Sequence, residues 1–388
     1  MKCFTICLLA ATTFAGTAAM AQGELNYTVA DVIKYPRTIY AGEVAGVATN
    51  AQGHIFVYQR AGTPWVALAA ARIFSRGNDQ LLEFDQNGTF VREIGKGNYA
   101  NTMATSVRVD RQNNVWAVDR TAGMVIKYAP NGTLAMLLGR KPEAINVTIP
   151  GGGRGAAPPA DSEGGGGRGA APGLGVTPAG AAAAGRGAAA APLAAGRGGR
   201  GGPPGTGNQA DNFTGPSDVA FDAQGNIFVA DGWGANNRVA KFTPDGVFIK
   251  SFGRTGSDNE SLNSPRSLAV DAVGNVYVAD YGNNRVQVLD NNLTYLRSVS
   301  GVGAPSAICV SPGATQYLYV SNSNPMDNLD TAGEIYKLQL NGSVVGRFGR
   351  AGKAPREFAS VNQIDCRQAN TVYTAEAGAW RVQKVTLK

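Results

Sequence analysis

The sequence predicts an all-β fold, a six-bladed β-propeller, and three observations carry this prediction. Residues 215–254 (GPSDVAFDAQGNIFVADGWGANNRVAKFTPDGVFIKSFGR) and 264–299 (SPRSLAVDAVGNVYVADYGNNRVQVLDNNLTYLRSV) repeat a single pattern, as in a repeat array. Within each copy, short runs of Val, Ile, Phe and Tyr are separated by Gly, Asn, Asp and Pro turns, which is typical of hairpin strands. No helical periodicity interrupts the repeats. Four strands per unit would form radial sheets that bury their faces against neighbouring sheets.

The same pattern divides the chain into six units in order. These units cover residues 44–95, 105–140, 215–254, 264–299, 306–350 and 362–387. In the third unit we expect strands at Asp218–Asp222, Ile227–Ala230, Val239–Thr243 and Val247–Phe252. The sixth unit ends with its third strand, at 382–387. We therefore predict that the strand-like residues 25–33 supply the missing outer strand and close the ring.

Two segments are expected to lie outside the repeats. Residues 1–21 have a basic start, a short apolar run and an Ala-Met-Ala cleavage pattern, which predicts a secretory signal peptide and a mature propeller from 22 to 388. No later apolar run is long enough for a membrane span. Residues 151–210, between units two and three, are almost entirely Gly, Ala, Pro and Arg, which predicts a disordered insert. The protein is therefore expected to be exported, to a periplasm or to the medium.

The distribution of charge indicates whether nucleic acid is an expected partner. The formal net charge is +7, but the insert holds five Arg against two acids, and the repeats gather no basic surface of the kind that nucleic acid requires. Nucleic acid is therefore not an expected partner.

Cys309 and Cys366 remain after signal cleavage. The repeat register places them one step apart, on opposite faces of equivalent strands, so we expect buried thiols and no disulfide.

The positions of the insertions predict which face carries the function. Residues 61–79, residues 323–332 and the long insert all emerge where first strands begin and second strands end. We call this end of the channel the upper mouth and expect the binding site there. The register predicts that its lining is polar, with two aromatic residues. This lining comprises Thr105, Ser106, Ser217, Ser306, Asn362, Arg266, Arg60, Asp119, Arg120, Asp231, Trp233, Asp280, Tyr281, Asn322 and Glu376.

Eight of these positions are our candidate ligand-binding residues. They are Arg60, Thr105, Asp119, Trp233, Arg266, Tyr281, Asn362 and Glu376. Arg60, Trp233 and Arg266 do not recur between units and are the stronger candidates. Asp119, Asp231 and Asp280 recur, and an alternative interpretation is that they cap turns while Arg238 and Arg285 hold hairpins.

The units resemble NHL repeats, and the ring is similar to the propeller of the peptidyl-hydroxyglycine amidating lyases. The resemblance is carried by VAGVATNAQGHIFVYQRAG, GPSDVAFDAQGNIFVADGW, NNRVAKFTPDG and SPRSLAVD. It implies a zinc site of three histidines with a Tyr and an Arg at the substrate. Arg60 matches the family's arginine. The zinc histidines are replaced by Thr105, Arg266 and Asn362.

Two further family residues are replaced, since Trp233 occupies the catalytic tyrosine position and Tyr281 a second arginine position. The mature chain has one histidine, His54, expected in a turn on the opposite face, so an imidazole zinc site cannot be built. We therefore expect no catalytic residue and no resident cofactor. Calcium on Asp231, Asp280, Glu376 and Asn362 is a lesser alternative.

The sequence thus favours a binding or protein-interaction module that holds a peptide, a protein loop or a polar small molecule at the upper mouth. Two alternatives stay open. One is an enzyme, either a diverged amidating lyase or a calcium-assisted hydrolase, and the other is an extracellular scaffold. The sequence leaves the oligomeric state open.

Overall fold

The computed structural model describes residues 23–61, 79–98, 100–139, 212–325, 327–368 and 370–388. Its strands form six four-stranded antiparallel sheets, so the predicted six-bladed propeller is confirmed. The predicted signal peptide, 1–21, and the predicted insert, 151–210, lie outside the described residues. The chain between blades 2 and 3 runs from Gly139 to Pro216, which is where the insert was placed. No helix among the described residues is long and apolar enough to cross a membrane.

In blades 1 to 3 the four strands follow one another outward from the channel. Blade 1 consists of β2 (Glu43–Thr49), β3 (Ile55–Arg60), β4 (Gln80–Phe84) and β5 (Phe90–Ile94). Blade 2 consists of β6 (Ala104–Val109), β7 (Val115–Asp119), β8 (Met124–Tyr128) and β9 (Leu134–Gly139). Blade 3 consists of β10 (Pro216–Phe221), β11 (Ile227–Asp231), β12 (Arg238–Phe242) and β13 (Phe248–Phe252).

Blades 4 and 5 repeat this order, and blade 6 ends one strand short. Blade 4 consists of β14 (Pro265–Val270), β15 (Val276–Asp280), β16 (Arg285–Leu289) and β17 (Tyr295–Ser300). Blade 5 consists of β18 (Pro305–Val310), β19 (Tyr317–Asn322), β20 (Ile335–Gln339) and β21 (Val344–Phe348). Blade 6 consists of β22 (Val361–Asp365), β23 (Thr371–Glu376) and β24 (Arg381–Leu387).

The ring closes as predicted, through a strand from the other end of the chain. Strand β1 (Tyr27–Asp31) pairs antiparallel with β24, from Tyr27 opposite Leu387 to Asp31 opposite Gln383. It is thus the outer strand of blade 6. The closure ties β1 and β24 into one sheet, so β24 is not left as an unpaired outer edge.

The turn between the first two strands of a blade shows why the repeat keeps Asp and Gly-Asn. In blade 3 the Asp222 carboxylate accepts hydrogen bonds from the backbone N–H groups of Gln224 (3.0 Å) and Asn226 (2.9 Å). Gly225 has φ +84°, which favours glycine. In blade 3 the second and third strands are fully buried, while the outer strand β13 is half-exposed. Each blade therefore buries its centre and keeps its rim in water.

The channel is crossed by polar side chains of the innermost strands. The Gln363 carboxamide accepts hydrogen bonds from the N–H groups of Val47 (3.1 Å) and Val107 (3.0 Å), which joins blades 6, 1 and 2. Arg108 donates from Nε to Asp218 Oδ1 (3.0 Å) and from Nη1 to the carbonyl of Ile364 (3.1 Å). These contacts separate an upper from a lower mouth.

The expectation of free thiols was wrong, because Cys309 and Cys366 form a disulfide. Their Cα atoms are 6.0 Å apart. The register itself was sound, since Cys309 lies opposite Tyr319 as Ala220 lies opposite Phe228. The error was to compare faces within one blade. Consecutive blades pack face to face, so side chains on opposite faces of equivalent strands meet between blades 5 and 6.

Candidate functional site

The upper mouth is shaped by a β-bulge at the start of each innermost strand. The pairing of first with second strands shifts register between Ala104 and Ser106, between Pro216 and Asp218, and between Pro265 and Leu268. The first strands of blades 1, 5 and 6 show the same shift. A bulge re-aims the side chain of the extra residue. Arg266 and Asn362 occupy such positions.

Five of the eight candidate residues line one small cavity at this mouth. They are Arg60, Trp233, Arg266, Tyr281 and Asn362. The cavity has a volume of about 140 Å³ and is also lined by Ser306, Ser323, Asn324, Pro325, Ser360, Val361 and Ala377. Most of these groups are polar. The volume suits one small chemical group or the end of a longer ligand.

Arg266 and two aromatic rings form the centre of the site. The Arg266 guanidinium carbon lies 3.2 Å from the centroid of the Trp233 ring and 4.9 Å from that of Tyr281. Both distances indicate cation–π contact. Gly232 permits this packing, because a Cβ there would lie 2.1 Å from the carbonyl oxygen of Pro265. Burial lowers the pKa of Arg266 to about 10, and the nearby charges of Arg120 and Arg60 lower it as well.

Arg60 ends β3 and is held by its neighbours in blades 1 and 2. Its Nε donates to the carbonyl of Ala104 (2.9 Å) and its Nη1 to the Glu43 carboxylate (3.0 Å). It occupies the place that Asp119 has in blade 2. Nearby, burial raises the pKa of Asp79 to about 7, although the Ala104 N–H and the charge of Arg60 act to lower it.

Arg120 is the residue whose role the sequence interpretation understated. It was placed at the mouth but was not among the eight candidates. In the structure its guanidinium carbon lies 4.3 Å from the Trp233 ring centroid. Burial lowers its pKa to about 10, and the charge of Arg60 adds to this effect. The available signal was its absence from other blades, where Gly232 and Tyr281 hold the equivalent position.

The other three candidates lie beside or beneath the cavity. Thr105 is buried, and its hydroxyl donates to the carbonyl of Pro216 (3.4 Å). Asp119 is fully buried and accepts hydrogen bonds from Thr102 (2.6 Å to its N–H) and the N–H of Ala122 (2.8 Å). Glu376 is also fully buried.

Glu376 pairs with Arg381 (3.1 Å) and accepts from the N–H of Ala359 (3.1 Å). Asp280 forms a similar pair with Arg285 (2.8 Å). The recurring acids therefore hold turns and hairpins, as the alternative interpretation stated.

The residues considered for calcium do not converge. Asp231 bonds to the N–H of Gly215, while Asp280 and Glu376 each bind an arginine of their own blade. Asn362 donates from Nδ2 to carbonyl oxygens of blades 1 and 2. Across the described part of the chain, no group of three or more His, Cys, Asp and Glu side chains could hold a metal ion. These residues as placed do not fit a calcium ion.

A larger cavity, of about 600 Å³, occupies the lower mouth. It is lined mainly by small and apolar residues such as Ala220, Val270 and Val310, with Arg108 at its inner end. Its acids are engaged: Asp271, for example, accepts from Val273 and Asn275 N–H groups. We favour the upper mouth as the binding site in spite of its smaller volume, because polar groups there include hydrogen-bond donors without an acceptor in the protein, such as Arg266 Nε.

His54 is placed as predicted, in the turn between β2 and β3 at the lower face. Its Nδ1 lies 2.8 Å from the Glu83 carboxylate, which is itself paired with Arg92. A histidine in this position cannot serve a nucleophile at the upper mouth.

Six radial four-stranded sheets around a polar-mouthed channel define a β-propeller. Residues 213–242 and 262–289 match the NHL repeat family. The chain is therefore a six-bladed β-propeller that contains NHL repeats. No curated protein matches it significantly in sequence.

Solved structures share the fold at low sequence identity. A catalytically inactive virginiamycin B lyase from Staphylococcus aureus, with quinupristin, is 10% identical with a TM-score of 0.51, covering 94% of this chain and 100% of its own. A gluconolactonase from Xanthomonas campestris is 12% identical with a TM-score of 0.52, covering 96% and 94%. A Bacteroides thetaiotaomicron protein of unknown function is 12% identical with a TM-score of 0.55, covering 94% and 77%. These likenesses show the fold alone.

Proposed function

We propose that this protein is an exported binding module whose upper mouth holds a polar ligand. The ligand is a polar small molecule, a peptide or a loop of a partner protein. One observation carries the proposal: Arg60, Trp233, Arg266, Tyr281 and Asn362, from four different blades, line a single cavity. Aromatic and arginine side chains that meet in a desolvated pocket are the residue types that contribute most to binding.

The test is a binding screen on the mature propeller. A panel of polar metabolites and short peptides is measured by thermal shift and by ligand-observed NMR. Ligands that bind should lose binding in the Arg60→Ala/Arg266→Ala double variant. They should keep it in Arg37→Ala, which removes an exposed arginine outside the cavity. Ligands that bind the double variant and the wild type with equal affinity would contradict the proposal. Equal binding is the result that an extracellular scaffold predicts.

An enzyme is the second candidate function, and Asp79 is the observation that favours it. A carboxyl group with a pKa of about 7, near Arg60, is suited to general acid–base catalysis at neutral pH. Lactone, ester and hydroxyglycine-peptide substrates should be screened with the wild type and Asp79→Asn. Turnover lost in the variant would favour the enzyme. Stoichiometric zinc or calcium in purified protein would favour the lyase or the hydrolase, respectively.

A further inference from the structure

The arginines at the upper mouth offer more hydrogen-bond donors than the protein uses. Within the described residues, the Arg60 side chain donates to Ala104 and Glu43, while the side chains of Arg120 and Arg266 lie against aromatic rings and make no hydrogen bond. The Nε of Arg266 is a buried polar atom without a partner. A buried donor without an acceptor is costly, so native proteins rarely keep one without a function.

Positive charge at this mouth is also in excess. Besides burial, the charge of Arg60 lowers the pKa of both Arg120 and Arg266, and the charge of Arg120 lowers that of Arg266. Glu43 pairs with Arg60, and the Asp119 carboxylate is occupied by backbone N–H groups. Asp79, near Arg60, accepts a hydrogen bond from the N–H of Ala104, and residues 62–78 contain no Asp or Glu. Arg266 therefore lines the cavity, and Arg120 lies against the Trp233 ring beside it, without a carboxylate from these neighbours.

Stacking on Trp233 prepares both guanidinium groups for a ligand. A guanidinium held over an aromatic face keeps its N–H groups at its edge, where they can form paired hydrogen bonds to two oxygens of an anion. The contact also removes rotamer freedom before binding, which reduces the entropy lost with the ligand. Ser306 and Asn362 line the same cavity; the Ser306 hydroxyl can bond to a neighbouring polar group of a ligand, while Asn362 Nδ2 already donates to carbonyl oxygens of blades 1 and 2.

We propose that the upper mouth recognises an oxyanion, a carboxylate or phosphate group, through the paired guanidinium groups of Arg266 and Arg120 on Trp233. This inference rests on the proposed function, since it names the chemistry of the ligand at the same site. The cavity of about 140 Å³ holds one such group with a small polar body. The rest of a larger ligand lies outside the mouth.

The experiment uses sodium acetate, inorganic phosphate and neutral acetamide as probes of the mature propeller. Each is titrated at constant ionic strength, balanced with sodium chloride, because general screening also changes stability. Binding is followed by thermal shift and by NMR. The variants are Arg266→Gln, Arg120→Gln and Arg266→Lys, with Arg37→Gln as the matched charge control on an exposed site. Circular dichroism establishes that each variant is folded.

Acetate or phosphate should bind saturably to the wild type and to Arg37→Gln, and acetamide should not. Each Gln variant should weaken anion binding about tenfold or more, the effect of losing a charged hydrogen bond, and Arg266→Lys should be intermediate. The tighter of the two anions identifies the ligand group as carboxylate or phosphate.

Three outcomes would overturn the inference. They are equal binding of acetamide and acetate, anion binding unchanged in both Gln variants, and no saturable response to either anion. If a neutral ligand from the panel binds through Arg60 and Arg266 while neither anion does, the oxyanion inference fails and the proposed function stands.

Discussion

Arg108 and Arg266 lie on innermost strands of the same channel, yet their surroundings differ completely. Arg108 is paired with Asp218 and donates to Ser267 (3.1 Å) and to carbonyl groups of blades 4 to 6. Arg266 stacks on Trp233 and Tyr281 and, among the described residues, donates to nothing. One arginine therefore holds the ring together, and the other is left available for a ligand.

The local cause of this difference is the position on the strand. Arg108 lies within the regular part of β6, beside the Asp218 carboxylate of the next blade. Arg266 lies in the bulge at the start of β14, where the side chain is directed to the open mouth.

Arg108→Met should be the most damaging of the changes considered. It leaves the buried Asp218 without its partner and breaks links between blade 2 and blades 3 to 6. Removing one member of a buried ion pair costs about 3–5 kcal/mol of unfolding free energy. Urea denaturation measures it, and the Arg108→Met/Asp218→Leu double variant should recover part of the loss. A loss below about 1 kcal/mol would show that Arg108 does not hold the ring.

Removal of the Cys309–Cys366 bond should have the next largest effect. Cys309 and Cys366 are 57 residues apart in the sequence, and their bond links blades 5 and 6. Cys309 lies in the wall of the lower mouth. Cys366→Ser, or reduction of the wild type, should lower the free energy of unfolding by about 2–4 kcal/mol. Melting curves with and without reductant measure it. Reductant should leave the variant unchanged, and equal melting of all samples would contradict the structural role.

Asp79→Asn should alter the pH dependence of stability at the upper mouth. An unfolded Asp loses its proton near pH 4, and folded Asp79, with its pKa raised to about 7, keeps it longer. The folded state binds more protons between these values, so this group's contribution to stability falls as pH rises from about 4 to 7.

Asn does not titrate. The free energy of unfolding of Asp79→Asn should therefore exceed that of the wild type by about 1–3 kcal/mol at pH 8 and differ little from it at pH 4. Urea denaturation at the two pH values measures the difference. A constant difference between the proteins at both pH values would refute the assigned titration.

Arg266→Gln should have the smallest effect on stability. No side-chain hydrogen bond or ion pair within the described residues is lost, and Gln keeps two of the three methylene groups. The free energy of unfolding should change by less than about 1 kcal/mol, because loss of the cation–π contact is offset by removal of a buried charge and of an Nε–H without an acceptor. Thermal denaturation of Arg266→Gln and Arg108→Met under the same conditions measures the change in stability of each variant. Equal losses in both variants would remove the distinction between them.

Much of this fold could be predicted because the same pattern of strands and turns recurs in every unit of the chain. In blade 3 the expected strands at 218–222 and 239–243 are found at Pro216–Phe221 and Arg238–Phe242. The closing strand was predicted from the missing fourth strand of blade 6. The disulfide was missed because faces were compared within a blade, although the contact forms between blades.

The site was partly predictable for the same reason. Residues that break the repeat, such as Trp233 and Arg266, proved to line the cavity. Asp119 and Glu376 recur and are used in turns, so position alone overstated their availability. The stacking of Arg120 on Trp233 joins blades 2 and 3, and no pattern within one unit could reveal a contact of that kind.

The most direct test of the distinction between the two arginines is a crystal structure of the protein grown with acetate or phosphate. The account predicts an oxyanion at the upper mouth, bonded to N–H groups of Arg266 and Arg120, with Arg108 still paired to Asp218. A structure in which a carboxylate of the protein itself pairs with Arg266 and Arg120, and no anion binds, would contradict it.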